Sequence, residues 1–192
     1  MFLRDQDPVS VQCLACGAGE ILDGLVPQTG REPFATSIRQ NRPDLDEMAI
    51  RRIRNQYWNA FKHLYSRKKG ILRNDVELLA RFSDVQNDGA LFIGWTDYMT
   101  LRRKMPVSAQ VFDAWYCAIY EEKLHPTIDL CAVRRVFPGI RAQERADQKR
   151  RLKLMVEEWE HREDILRDPS TEPGPLIVQG ALLIEGIASV GT

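Results

Sequence analysis

Two small sets of residues have the types and spacing to do chemistry. The first is Cys13-Leu-Ala-Cys16, two thiols three positions apart. Such a pair could supply two of the four ligands of a tetrahedral zinc site, or the dithiol of a redox motif. A zinc ribbon or finger needs a second pair or two histidines. The other cysteines, Cys117 and Cys131, are single, and no histidine stands near the pair. A thioredoxin-like role needs a thiol at a helix N-terminus, yet the Asp7-Pro8 start places Cys13 more than one turn inside its helix. Cys13 and Cys16 are therefore expected to pack as small apolar side chains, with metal or redox use as the alternative.

The second set is Arg52, Asn55, Asn59, Lys62 and His63, which recur at helical steps along one polar face. A histidine beside amide and cationic groups could act as acid or base on a phosphodiester. The competing reading is a solvated face whose asparagines bond neighbouring helices. Arg54-Asn55 followed by Phe61-Lys62-His63 resembles the Arg-polar and histidine elements that HEPN-type ribonucleases carry on one helix. In that family the histidine follows four to six residues on. Here eight residues separate Arg54 from His63, which turns the two to opposite sides of the helix.

Other patterns supply less. His125 precedes a proline, and His161 belongs to a single Glu158-Trp-Glu-His161, whereas a di-iron bundle needs that spacing on two helices. No GxGxxG, P-loop, GxSxG or HExxH occurs. No cofactor is expected. Lysine plus arginine and aspartate plus glutamate both number 27, so no global positive field is available to hold a nucleic-acid backbone. Short basic runs such as Arg102-Arg103-Lys104 and Lys149-Arg150-Arg151 leave a local basic face possible, and nucleic acid is not the favoured partner. The opening MFLRDQDP turns charged within four residues, and no run of 18 apolar residues occurs. The expectation is free thiols in the cytoplasm and no membrane span.

The elements that must position these groups are helical. Asp7 caps and Pro8 opens a first helix with Val11, Leu14, Ala18, Leu22 and Leu25 as its apolar stripe, stopped near Pro27. A short helix over 34–39 follows. The second long helix is capped by Asp44 or Asp46 and terminated by Gly70. Its stripe is Ile50, Ile53, Tyr57, Ala60, Phe61 and Leu64. Asn74-Asp75 starts another segment. Asn87-Asp88-Gly89 reads as a helix–helix turn before Leu91, Trp95, Tyr98 and Leu101. Met105-Pro106 opens a helix with Val111, Trp115 and Ile119. A short one lies within 127–137. The expected fold is an all-α bundle of five to seven helices over 1–138. A long charged helix follows over 139–167, then a Pro-rich linker over 168–175 and an apolar tail over 176–192. The core should draw on Leu14, Leu22, Ile53, Tyr57, Phe61, Leu64, Leu79, Trp95, Tyr98, Val111, Trp115 and Ile119. The charged helix would lie outside that core, complete it, or form a dimer contact.

Two stretches resemble an uncharacterised group of small helical proteobacterial proteins. DPVSVQCLACGAGEILDGL is similar to a helix of that group that begins near Asp-Pro and ends in an Ala-x-Glu-Ile-Leu pattern. NAFKHL is similar to its Asn-x-x-Lys-His motif, at Asn59, Lys62 and His63. Val111, Phe112 and Trp115 add a third match. The resemblance spans residues 7–125 and implies a helical fold but no reaction. With no complete catalytic set, the expected function is protein binding or assembly, through a protein partner or self-association at 140–167 and 176–190. A His63 ribonuclease of toxin or defence type is the alternative.

Overall fold

The structure is a computed structural model that describes residues 1–65, 70–125 and 127–172. It is all-α. Nine α-helices run through the described residues: α1 (Pro8–Leu25), α2 (Phe34–Asn41), α3 (Glu47–Lys62), α4 (Val76–Ala80), α5 (Gln86–Arg102), α6 (Val107–Ile119), α7 (Leu130–Val136), α8 (Arg145–Trp159) and α9 (Glu163–Leu166). Seven of these have seven residues or more. Among the described residues there is no strand, only two isolated bridges, Tyr65 with Leu72 and Met105 with Thr171.

Local chemistry explains the helix starts. The Asp7 carboxylate accepts from the Val9 and Ser10 amides, and Pro8 occupies the first helical position. Asp46, not Asp44, caps α3 through the Ala49 amide at 2.6 Å. Asp129 caps α7 in the same way. Two expected boundaries move. Helix α3 ends at Lys62, so Gly70 sits in the following loop at a φ of 81° and does not terminate it. Asn87-Asp88-Gly89 is no turn, because it forms the first turn of α5. Asn87 and Asp88 are wholly buried there, and their side chains hold other elements.

The main core lies between α6 and α8. Val111, Phe112, Trp115, Phe137, Ile140, Leu152 and Val156 share one cluster, with Trp115 and Leu152 both at 0% exposure. The Trp115 indole N–H donates to the Gln148 carbonyl at 3.0 Å, satisfying the polar atom that so large a buried side chain brings with it. Of the three places expected for the charged stretch, the one found is that it completes the core. The charged stretch 139–167 is a short 3₁₀ turn at Ile140–Ala142 followed by α8 and α9, and its apolar side completes the core. Ion pairs clamp α8 to the start of α5. Arg145 donates to both Asp88 oxygens at 2.7 and 2.8 Å and to Asp84 at 2.9 Å. Lys149 pairs with Asp84 at 3.2 Å and with Asp5, and the Tyr120 hydroxyl donates to Asp88 at 2.8 Å. Burial pushes the Asp88 carboxyl up despite these partners.

A second, smaller cluster joins Ala15, Cys16, Trp58 and Ala90 where α1, α3 and α5 meet. Its makeup corrects the stripes read from the sequence. Leu14 is 65% exposed, Ile53 55%, Leu64 65% and Leu79 37%. Leu22, Tyr57, Val111, Trp115 and Ile119 are buried as expected, while Phe61, Trp95 and Tyr98 are half-buried. Helix α1 instead turns Val11, Gln12, Ala15, Cys16, Gly19 and Leu22 inward, and α3 turns Ile50, Arg54, Asn55, Tyr57 and Trp58. The expected linker is also docked at its start. The Met105 amide donates to the Ser170 carbonyl, the Glu172 amide donates to the Met105 carbonyl, and Thr171 is 3% exposed. The rest of the linker and the tail expected over 176–192 lie outside the described residues.

Candidate functional site

The polar face expected on α3 separates into different roles. Asn55 is buried, and its amide donates to Glu20 of α1 at 3.3 Å. It is one of the asparagines that bond a neighbouring helix. Arg52 is exposed and Asn59 half-buried. Lys62 folds back, its ammonium 4.1 Å from the centre of the Trp58 ring. His63 lies one residue beyond the helix in extended backbone, exposed, its amide bonded to the Asn59 carbonyl. None of these five lines the cleft described below.

Arg54, by contrast, is central and structural. Its guanidinium makes a two-pronged pair with Asp23 of α1 at 3.1 and 2.6 Å, and its Nε donates to Asn55. Burial opposes the charge on Arg54, but the Asp23 carboxylate outweighs it and holds the pKa above its ordinary value. The only charges within α1 are Glu20 and Asp23. Two carboxylates in an otherwise uncharged helix call for partners on a neighbouring element, a signal the sequence carries without singling out Arg54.

Cys13 and Cys16 take the packing role. Cys16 is 1% exposed, accepts from the Gln12 amide nitrogen at 3.0 Å and lies 3.7 Å from the Arg54 carbonyl. Burial pushes its thiol up to about 11 and raises Cys13 as well. Both shifts run opposite to those that make a reactive or ligating thiolate. Among the described residues, no three His, Cys, Asp or Glu side chains cluster around a possible cation position.

The feature that stands out is an apolar cleft of about 270 Å³ between α2, α3 and α5. Ile38 and Leu45 form one wall, Ile50, Ile53 and Tyr57 another, and Ala90 and Ile93 of α5 the third. Gln12 and Arg54 also line it. Helix α2 is fixed there by an unusual cap, in which the buried Asp97 of α5 accepts from the Phe34 amide at 2.7 Å, at the start of α2. Burial raises the Asp97 pKa, and its second oxygen has no partner. Gln12 is 1% exposed and its amide oxygen also lacks a partner. The cleft therefore offers a mainly aliphatic and aromatic lining that also carries the polar side chains of Gln12, Arg54, Gln56 and Gln86, and Ile53 and Met48 stand exposed on α3, whose Ile50, Ile53 and Tyr57 form one of its walls. Neither Gln12 nor Asp97 was flagged from sequence.

Helix α1 has a further property. The segment Pro8–Thr29 is long and apolar enough to cross a membrane by length and composition, and 39% of its 18-residue apolar window is buried inside the protein. Its side toward α3 carries Glu20 and Asp23, bonded to Asn55 and Arg54.

No family model, no curated protein and no solved structure matches the chain.

Proposed function

We propose that the chain is a non-enzymatic binding module that engages a protein partner through the cleft between α2, α3 and α5. The observation that carries this reading is an open, mostly apolar cleft beside the exposed Ile53 and Met48 of α3. At about 270 Å³ it sits at the small end of ligand pockets. It suits one or two apolar anchor side chains. Exposed Ile53 and Met48 would widen the contact, since apolar patches left open to solvent mark protein-binding sites. The cytoplasmic location expected from the sequence belongs to the same proposal.

A photo-crosslinking side chain placed at Ile53 tests it, with Leu154, 57% exposed on α8, as control position. The expected result is a discrete adduct from position 53 in cells, absent from position 154 and abolished by Ile93→Glu at the cleft wall. Equal labelling from both positions, no adduct from position 53, or an adduct that survives Ile93→Glu would overturn the proposal.

A further inference from the structure

The turn at residues 2–5 is attached to the body through its side chains. Phe2–Arg4 form one 3₁₀ turn, closed by Asp5 in the left-handed region at a φ of 53°. Left-handed backbone is costly for residues that carry a side chain, less so for aspartate than for most. The amides bond within the turn itself. Arg4 and Gln6 donate to the Met1 carbonyl at 3.0 and 3.2 Å, and Asp5 donates to the Phe2 carbonyl at 3.1 Å. Among the described residues, no backbone-to-backbone hydrogen bond joins residues 1–6 to another element.

What the anchoring side chains meet is specific. The Phe2 ring stands nearly perpendicular to Phe112 and Trp115 of α6, with ring centres 5.6 and 6.1 Å away. Two cations of α8 lie over it, the Lys149 ammonium 4.8 Å and the Arg145 guanidinium 5.8 Å from the ring centre. Both kinds of contact favour an aromatic side chain over an aliphatic one. Three positions on, the Asp5 carboxylate pairs with Lys149, which is 7% exposed against 72% for Asp5. The receiving groups do not depend on the turn. Lys149 also pairs with Asp84 at 3.2 Å, Arg145 holds Asp84 and Asp88, and the Trp115 indole N–H is bonded to the Gln148 carbonyl. Removing the turn would strand no buried charge. The contact is also loosely filled: a cavity of about 160 Å³ is lined by Phe2 and Asp5 of the turn and by Val11, Asp84, Asn87 and Lys149 of the body.

We infer that residues 2–5 are a ligand held in cis, and that the surface they cover on α6, α8 and the start of α5 is a docking site for a peptide segment presenting an aromatic side chain and, three positions later, a carboxylate. The site is distinct from the cleft between α2, α3 and α5, with which its cavity shares no lining residue. Exchange of the turn for a partner's segment breaks no backbone hydrogen bond between elements and trades like side-chain contacts for like. The tethered turn competes at an effective concentration of millimolar order, so the native chain admits only partners that outbid it or that meet it open.

A fluorescently labelled peptide of residues 1–8, MFLRDQDP, tests the inference on two forms of the full chain. Fluorescence anisotropy should show it binding the Phe2→Ala/Asp5→Ala variant at least tenfold more tightly than the native chain, whose own turn competes. In the peptide, Phe2→Ala should weaken binding to that variant at least tenfold and Asp5→Asn about threefold. The native chain supplies a second measurement. An amine-reactive reagent should modify Lys149 at a rate that scarcely rises in urea below the unfolding transition, because detaching the turn exposes little surface. Thiol labelling of Cys16, which needs global opening, should rise steeply over the same range. No binding to the variant, equal binding to both forms, binding that either peptide substitution leaves unchanged, or a variant that does not fold would each overturn the inference. So would Lys149 modification that climbs with urea in step with Cys16 labelling.

Discussion

Arg54→Met isolates the contact that joins α1 to α3. In the native protein the Arg54 and Asp23 side chains are 4% and 8% exposed, and they meet through two hydrogen bonds. Removing the guanidinium strands the Asp23 carboxylate inside the protein and takes a donor from Asn55. Breaking one partner of a buried pair typically costs 3–5 kcal/mol. Arg51 remains 3.8 Å from Asp23 as a partial, half-exposed substitute, which places the expected loss at the lower end, about 3 kcal/mol. For a chain of this size that corresponds to a fall in Tm of roughly 10 °C. Urea unfolding should show the midpoint falling with an unchanged slope, the signature of lost stability rather than altered compactness. Arg54→Met combined with Asp23→Leu should recover most of the loss, because no uncompensated charge remains. The non-additivity should be about 2 kcal/mol. A loss below about 1 kcal/mol in the single variant, or strict additivity in the double, would refute the assignment of Arg54 as the structural clasp of the bundle.

Two other outcomes follow from burial. Asp113 is half-buried on α6 with no ion pair or hydrogen bond among the described residues, and burial pushes its carboxyl up to about 6. The folded state then favours the protonated form, so Asp113 costs stability as pH rises from about 4 through 6. Asp113→Asn should stabilise the protein by about 2 kcal/mol at pH 8 and by nothing below pH 4, read by urea titration at both; an equal gain at the two pH values would contradict this. Thiol labelling of the native protein at pH 8 should find exposed Cys131 fastest and Cys13 slower. Cys16 and Cys117, pushed up to about 11 and 12, should stay silent until the chain unfolds. Rapid native labelling of Cys16 would show that it is not locked between α1 and α3.

How much could be read in advance differs from element to element. Asp7-Pro8, Asp46 and Met105-Pro106 mark helix starts through chemistry that acts within four residues, so those starts are visible in the sequence itself. The Asn87-Asp88-Gly89 misreading arose because polar residues in a helix resemble a turn until partners appear. Here the partners are the Pro8 carbonyl and Arg145, 79 and 57 positions away. Lys149 and Gln148 looked like surface residues of a charged helix, yet both are buried against distant groups. The candidate site was read in part. The α3 helix and its Asn55 contact role were legible, whereas Gln12, Arg54 and Asp97 acquire their roles only where three helices converge.

By itself the sequence determined that the chain is helical, where most helices begin, and that apolar side chains gather along them at steps of three and four. Which side of each helix faces inward was decided by the tertiary structure. Helix α1 is apolar over most of its circumference, so several rotations about its axis bury nearly equal area. The choice fell to the rotation that lets Asp23 and Glu20 meet Arg54 and Asn55, because an unpaired carboxylate inside the bundle costs more than a leucine left in water. That choice leaves Leu14 and Ile21 outside, and it seats Gln12 and Arg54 among the residues that line the cleft.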